Sequence, residues 1–225
     1  MVAAAASLRR VMPEIVEAFR KSEGGDIVVS YGASGVLRRQ VEGGAPIDAV
    51  VLAAAEPVDA LSRKGLADPD SRRIVATNRL VLIGPVGSRP LTFATLDLLP
   101  REARIAIADP RTVPAGQYAR QALRGLGLWE RLQDKLVYGG HVASVLAYVR
   151  RGEVEAAVVY ATEASGVERL VVLDEATGDW APLPRVVAAV TGPGSPRAHR
   201  FIGFLTTAPG QEIFRRHGFH TPPDG

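Results

Sequence analysis

The sequence predicts an α/β protein made of two sets of strand-then-helix units. Three observations predict this: three such units fall within residues 1–65, several strands are near-continuous apolar runs of the kind buried on both faces of a parallel sheet, and a second series of units begins near residue 80. A chain of 225 residues suffices for one large or two medium domains. Its 47% hydrophobic and 23% charged content is that of an ordinary globular protein. The 27 Lys and Arg residues are scattered among 24 Asp and Glu, with no dense basic block. The net charge of +3 is therefore a mixed, solvated surface, and no nucleic-acid partner is expected. The chain has no cysteine, which excludes disulfides, thiolate chemistry and Cys-ligated zinc. No apolar run approaches the roughly 20 residues that span a bilayer. Met1 stands directly against Val2-Ala3, inside the expected first strand, so a few native residues and any targeting segment are expected to lie ahead of it.

The first element is the apolar run Ala3-Ala4-Ala5-Ala6, read as a buried strand that enters a helix at Ser7-Leu8. A serine capping a helix at the end of a strand leaves one hydroxyl and backbone N–H groups at the positive end of the helix dipole. From Leu8 the apolar residues Val11, Met12, Ile15, Val16 and Phe19 follow helical spacing, with Pro13 in the second turn and expected to bend the helix. Ile27 to Tyr31 reads as a short β-branched strand that ends at Gly32-Ala33-Ser34-Gly35, and Val36, Leu37 and Val41 define the next helix. Residues 47–52 read as a strand and Glu56 to Lys64 as a helix, closed by Gly65.

In the second set, residues 79–85 read as a strand, and Phe93 to Leu99 as a short helix. Residues 103–108 read as a strand, and Pro114 opens a helix at a position where its missing N–H costs nothing. Residues 136–138 make a brief strand, and a helix runs from Val142 to Arg150. Ala156 to Tyr160 is another buried strand, followed by a helix near Thr162 and a strand at Leu170 to Leu173. Arg185 to Val190 reads as a strand leading back to the first set. A Ser195-capped helix and a last helix from Pro209 to Arg216 follow, and Thr221 to Gly225 reads as a frayed tail.

Several short motifs stand out along the chain: Ala4-Ala5-Ala6-Ser7-Leu8; Ser30-Tyr31-Gly32-Ala33-Ser34-Gly35 with Gly44-Ala45-Pro46-Ile47-Asp48; Ala108-Asp109-Pro110 with Val113-Pro114-Ala115-Gly116-Gln117-Tyr118; Val158-Val159-Tyr160; and Pro209-Gly210-Gln211-Glu212-Ile213-Phe214 with Gly218-Phe219. In this order they resemble the periplasmic molybdate-binding proteins of ABC transporters, a type II solute-binding family, along essentially the whole chain. The resemblance implies a two-lobed periplasmic-binding-protein (type II) fold with a ligand cleft between two α/β lobes. Lobe 1 would be residues 1–79 plus 187–225, and lobe 2 residues 80–186. It further implies an oxyanion site in which Ser7 and Ser34 give hydroxyls and backbone N–H groups, Ala115 and Val142 give backbone N–H groups, and Tyr160 gives its phenol O–H. All of these are donors, as a fully deprotonated tetrahedral oxyanion requires, and helix N-termini add partial positive charge. The chain departs from the family pattern in two places. Ala53, Ala54 and Ala55 stand where a Ser or Asp is usual, and Ser34 lies between Ala33 and Gly35 where serines run consecutively.

Other readings weigh against these residues. A nucleophile elbow at Ser34 needs glycine two positions on, where Val36 stands. His141 reads as a solvated turn residue, Trp129 and Trp180 as packing residues, and Arg38-Arg39 and Arg150-Arg151 as solvated helix faces. The resemblance thus implies a monomeric, extracytoplasmic binding protein. It would take molybdate or tungstate as ligand, use no cofactor, coordinate no metal directly, and deliver the anion to a membrane ABC permease. The alternatives are a receptor for sulfate or phosphate, a two-lobed transferase-type enzyme, which would need a nucleophile, base or cofactor lysine that the sequence does not assemble, and the effector-binding part of a regulator, for which the chain lacks a helix-turn-helix segment.

Overall fold

The computed structural model describes residues 1–192 and 195–222. In chain order the strands are β1 (Val2–Ala5), β2 (Val29–Gly32), β3 (Ala49–Leu52), β4 (Arg73–Thr77), β5 (Leu80–Pro85), β6 (Ile105–Ala108), β7 (Leu136–Gly139), β8 (Ala156–Tyr160), β9 (Leu170–Glu175) and β10 (Arg185–Val190). The helices are α1 (Met12–Glu23), α2 (Ser34–Glu42), α3 (Ala55–Arg63), α4 (Pro114–Gly125), α5 (Val142–Arg150), α6 (Ala161–Ala164), α7 (Pro196–Phe204) and α8 (Ala208–Arg216). They form two units, one of Met1–Asn78 with Arg185–Gly225, the other of Arg79–Pro184.

In the first unit the sheet order is β2-β1-β3-β10-β4. The first three of these strands run parallel, with Ala5 opposite Gly32 and Ala4 opposite Val51, and β10 lies antiparallel between β3 and β4. The run of small residues in β1 is explained by its central place: Ala3 is buried with Leu37, Val50 and Leu61 on the face of α2 and α3, and Ala4 with Phe19, Phe201 and Phe214 on the face of α1, α7 and α8. Phe19 meets Phe201 and Phe204 edge-on, at ring-centroid distances of 5.3 and 5.7 Å. Burial of each such ring contributes about 1.5–3 kcal/mol.

In the second unit the order is β7-β6-β8-β5-β9, with β6, β7 and β8 parallel and β5 antiparallel to both its neighbours. Its core gathers Leu82, Phe93, Ile107, Leu123, Leu132 and Val149. The two sheets repeat one plan: three parallel strands with the earliest in the middle, then two antiparallel strands. Even the register matches, since Ala108 faces Gly139 as Ala5 faces Gly32. No residue-by-residue repeat in the sequence accompanies this. Only the strand order and the parallel register are duplicated.

Several expectations are corrected. The first helix is not continuous from Ser7. A 3-10 turn covers Ala6–Leu8, and α1 begins at Met12 with Pro13 in its first turn, where it breaks no helical bond and bends nothing. Strand β4 was not expected, because its Ile-Val-Ala-Thr segment follows the polar, turn-like run Asp68 to Arg73. The short helix expected over Phe93 to Leu99 is present as a 3-10 helix, Phe93–Leu98, opened by a reciprocal Thr92–Thr95 capping box. Arg38 is not a solvated face: it lies between α2 and α3, 3.5 Å from Glu42 and 3.2 Å from Glu56. Of the expected frayed tail, Pro223 to Gly225 lie outside the described residues.

Candidate functional site

In an open α/β sheet, ligands bind at the carboxyl ends of parallel strands, where the following helices present their N-termini. Every expected site residue lies at such an end. Ser7 follows β1 and Ser34 follows β2, on adjacent strands of the first unit. In the second unit Ala115 follows β6, Val142 follows β7 and Tyr160 ends β8, on three adjacent strands.

Ser7 is half-buried in the middle of the 3-10 turn, with Ala5 at the cap position and no side-chain cap bond. It does not act as a helix cap, and its hydroxyl has no hydrogen bond among the described residues. Nor does Ser34 cap: it is the first residue of α2, and Ala33 holds the cap position. The bonds to Ala33 O come from the N–H groups of Val36 and Leu37, at 2.9 and 3.0 Å, so those of Ser34 and Gly35 are unpartnered among the described residues. The Ser34 side chain is buried, and its Oγ accepts the backbone N–H of Ala53 at 3.2 Å. Here the sequence reasoning missed a contact. Ala53 lacks a polar side chain, yet its main chain, just past the end of β3, supplies the polar support that the serine needs. Two positions before Ser34, Gly32 lies close under the helix: a Cβ there would stand 3.0 Å from Leu37 Cδ2.

In the second unit, α4 starts hard against the end of β6. A Cβ on Gly116 would lie 2.0 Å from Ala108 O, so only glycine allows this approach, and Pro114-Ala115 is seated by it. Ala115 is buried, the bonds to Val113 O come from Gly116 and Gln117, and the Ala115 N–H has no partner among the described residues. The loop ahead of it is shaped by Asp109, whose carboxylate accepts from the Arg111 backbone N–H at 2.9 Å and from its guanidinium at 2.7 to 3.2 Å. The Arg111 hydrogen bonds hold the Asp109 carboxyl below the usual carboxylate range.

Helix α5 is capped by His141, which is not merely a solvated turn residue. Its Nδ1 accepts the Ser144 N–H at 3.0 Å, and its main-chain carbonyl accepts the same N–H at 3.1 Å. Histidine lies outside the usual Ser, Thr, Asp and Asn cap set, so the pattern gave no signal. The N–H groups of Val142 and Ala143 remain without a partner among the described residues. As at Gly32, the strand before it ends in a glycine under a helix side chain: a Gly139 Cβ would be 2.8 Å from Val145 Cγ2.

Tyr160 is buried, and its hydroxyl is wholly enclosed without a hydrogen-bond partner among the described residues. Burial, foremost, and then the nearby Tyr118 and Glu163 push its pKa well above the usual tyrosine value. It is therefore a fixed donor at neutral pH. Its ring packs edge-on against Tyr118 at 6.4 Å. Each unit thus presents, on one sheet edge, helix N-terminal amides and hydroxyls that can donate. Among the described residues no group of three or more His, Cys, Asp or Glu could hold a metal ion.

The comparisons with known proteins agree on one kind of molecule. The family described as bacterial extracellular solute-binding protein matches residues 1–220. The molybdate-binding protein ModA of Escherichia coli (strain K12) is 35% identical over 227 residues, covering 97% of this chain and 87% of that protein. A putative ABC transporter substrate-binding lipoprotein, YvgL of Bacillus subtilis (strain 168), is 34% identical, covering 97% of this chain and 85% of that protein. Among solved structures, the substrate-binding domain of a putative molybdenum ABC transporter from Clostridium difficile aligns with TM-score 0.79 at 30% identity, covering 99% of this chain and 98% of that one.

Proposed function

The chain belongs to the bacterial extracellular solute-binding protein family, with the α/β fold of type II binding proteins and no enzymatic role, and from that premise we propose that it captures molybdate or tungstate outside the cytoplasm and delivers it, as a monomer, to an ABC permease. The observation that carries this reading is the Tyr160 hydroxyl, enclosed at the same strand edge as the amides of Ala115 and Val142, all three without a partner among the described residues. A buried donor without an acceptor costs about 1–3 kcal/mol, a penalty that an arriving oxyanion removes.

The proposed site residues Ser7, Ser34, Ala115, Val142 and Tyr160 supply only donors. An anion with no proton to give away, such as molybdate or tungstate at neutral pH, satisfies all of them, whereas monobasic phosphate brings an O–H for which these five positions hold no carboxylate acceptor. The N-termini of α2, α4 and α5 add partial positive charge without bringing a counter-ion.

Thermal denaturation with molybdate, tungstate, sulfate and phosphate, backed by calorimetry, tests the proposal. A true ligand at one hundred times its Kd stabilises the protein by about 2.7 kcal/mol. Stabilisation by molybdate and tungstate is expected. Stabilisation by sulfate or phosphate alone would overturn the ligand assignment.

A further inference from the structure

We propose that Arg9 is an electrostatic attraction residue for the oxyanion site, held on the ring of Tyr31 beside the Ser7 corner and raising affinity for doubly charged tetrahedral anions without touching them. The inference rests on the oxyanion reading above. Arg9 follows the 3-10 turn that contains Ser7, with its N–H bonded to Ala6 O at 3.2 Å. Its guanidinium carbon lies 4.6 Å from the centroid of the Tyr31 ring. Tyr31 is the penultimate residue of β2, opposite Ala4, three positions before Ser34. Strands β1 and β2 thus bring a cation and its platform to the sheet edge that carries both serines.

The state of this cation differs from that of several other arginines. Arg20, Arg72, Arg151, Arg215 and Arg216 each pair with a carboxylate. Arg111, in the loop after β6 that corresponds topologically to the loop after β1, is held by Asp109 through two nitrogens. Arg9 has no carboxylate partner among the described residues. Its platform is a neutral ring, since burial raises the Tyr31 pKa above the usual tyrosine value. A face-on aromatic ring orients a guanidinium without neutralising it. The charge of Arg9 is therefore available to an anion at the edge, while a salt-bridged arginine's would be largely cancelled.

A uniform long-range charge and a direct ligand contact differ in salt dependence. A unit charge about 10 Å from a divalent anion in water contributes roughly threefold in affinity at low ionic strength, and almost nothing once the screening length falls to about 3 Å near 1 M salt. The test is calorimetric titration of molybdate into wild type, Arg9→Gln, Arg9→Lys and Tyr31→Leu at about 10 mM and about 1 M ionic strength. Arg9→Gln is expected to bind about threefold more weakly than wild type at low salt and equally at high salt. Arg9→Lys, which keeps the charge, should follow wild type, and Tyr31→Leu, which frees the guanidinium to wander, should fall between. Equal affinities at low salt overturn the inference. So does an Arg9→Gln deficit of the same size at both salts, which marks a contact or a structural role. A wild-type protein that binds none of the tetrahedral oxyanions instead brings down the functional reading, a result that these variants do not produce.

Discussion

The hydroxyl of Ser34 accepts the backbone N–H of Ala53 at 3.2 Å, and this bond decides what the serine can do. A serine hydroxyl has one proton and two lone pairs. With a lone pair engaged by a buried amide, its proton is the part left to give. Ser34→Ala is then expected to remove a donor to the anion, weakening binding by about 1–3 kcal/mol. It also strands the Ala53 N–H, so the ligand-free protein should lose stability by a similar order, about 1–3 kcal/mol. Calorimetry and urea denaturation read the two effects separately. Unchanged affinity would remove Ser34 from the site.

Tyr160→Phe should act in the opposite direction on the free protein. The hydroxyl it deletes is enclosed and has no partner among the described residues, so stability without ligand should hold or rise by about 1 kcal/mol, while the gain on adding molybdate shrinks. The contrast with Ser34→Ala is the diagnostic feature. A Tyr160→Phe protein that melts earlier without ligand would mean that the hydroxyl serves the fold.

Gly116→Ala places a methyl where Ala108 O already stands, at 2.0 Å. Backbone cannot yield as a side-chain tip can, so a loss of about 1–3 kcal/mol or more is expected, together with displacement of the Ala115 amide. Gly140→Ala is the control for stability, since nothing lies within 4 Å of its added carbon. Equal melting temperatures for the two variants would show that the α4 approach is looser than described.

The Asp109 carboxyl is held below its ordinary value of 3.8 by Arg111. A depressed carboxyl stabilises the fold above the unfolded-state value and loses that contribution as pH falls through the folded-state one. Asp109→Asn should therefore lower the melting temperature at neutral pH. The gap to wild type should begin to narrow below about pH 5 and go on narrowing as pH falls through the folded-state value. A gap that stays constant over that range would show that the charge of Asp109 contributes nothing to the loop.

What could be read from the residues was whatever periodicity and turn chemistry encode locally. The parallel strands, Pro114 opening α4 and the span of α5 were legible because apolar runs and helix starts are written in adjacent positions. Contacts made by main chain across sequence were not. Nothing in Ala53 announces that its amide serves a serine nineteen positions earlier. The His141 cap was hidden by residue type, and β4 by the polar run before it. The start of α1 was misread because Leu8 and Val11 keep helical spacing through a tighter turn. The five site residues were named by resemblance. Their common placement at parallel-strand ends emerges only once strand order is known.

Strand β10 has one more consequence, which concerns the order in which the chain can fold. It pairs on one side with β3 and on the other with β4, and it is reached only after the entire second unit has been traversed. During synthesis, β3 and β4 therefore wait with open edges until residue 190 has emerged. The second unit draws all five of its strands from one continuous stretch and can close its sheet first. The serine edge of the first unit belongs to the sheet that is completed last, so a nascent chain halted before β10 would leave β3 and β4 unjoined beside it.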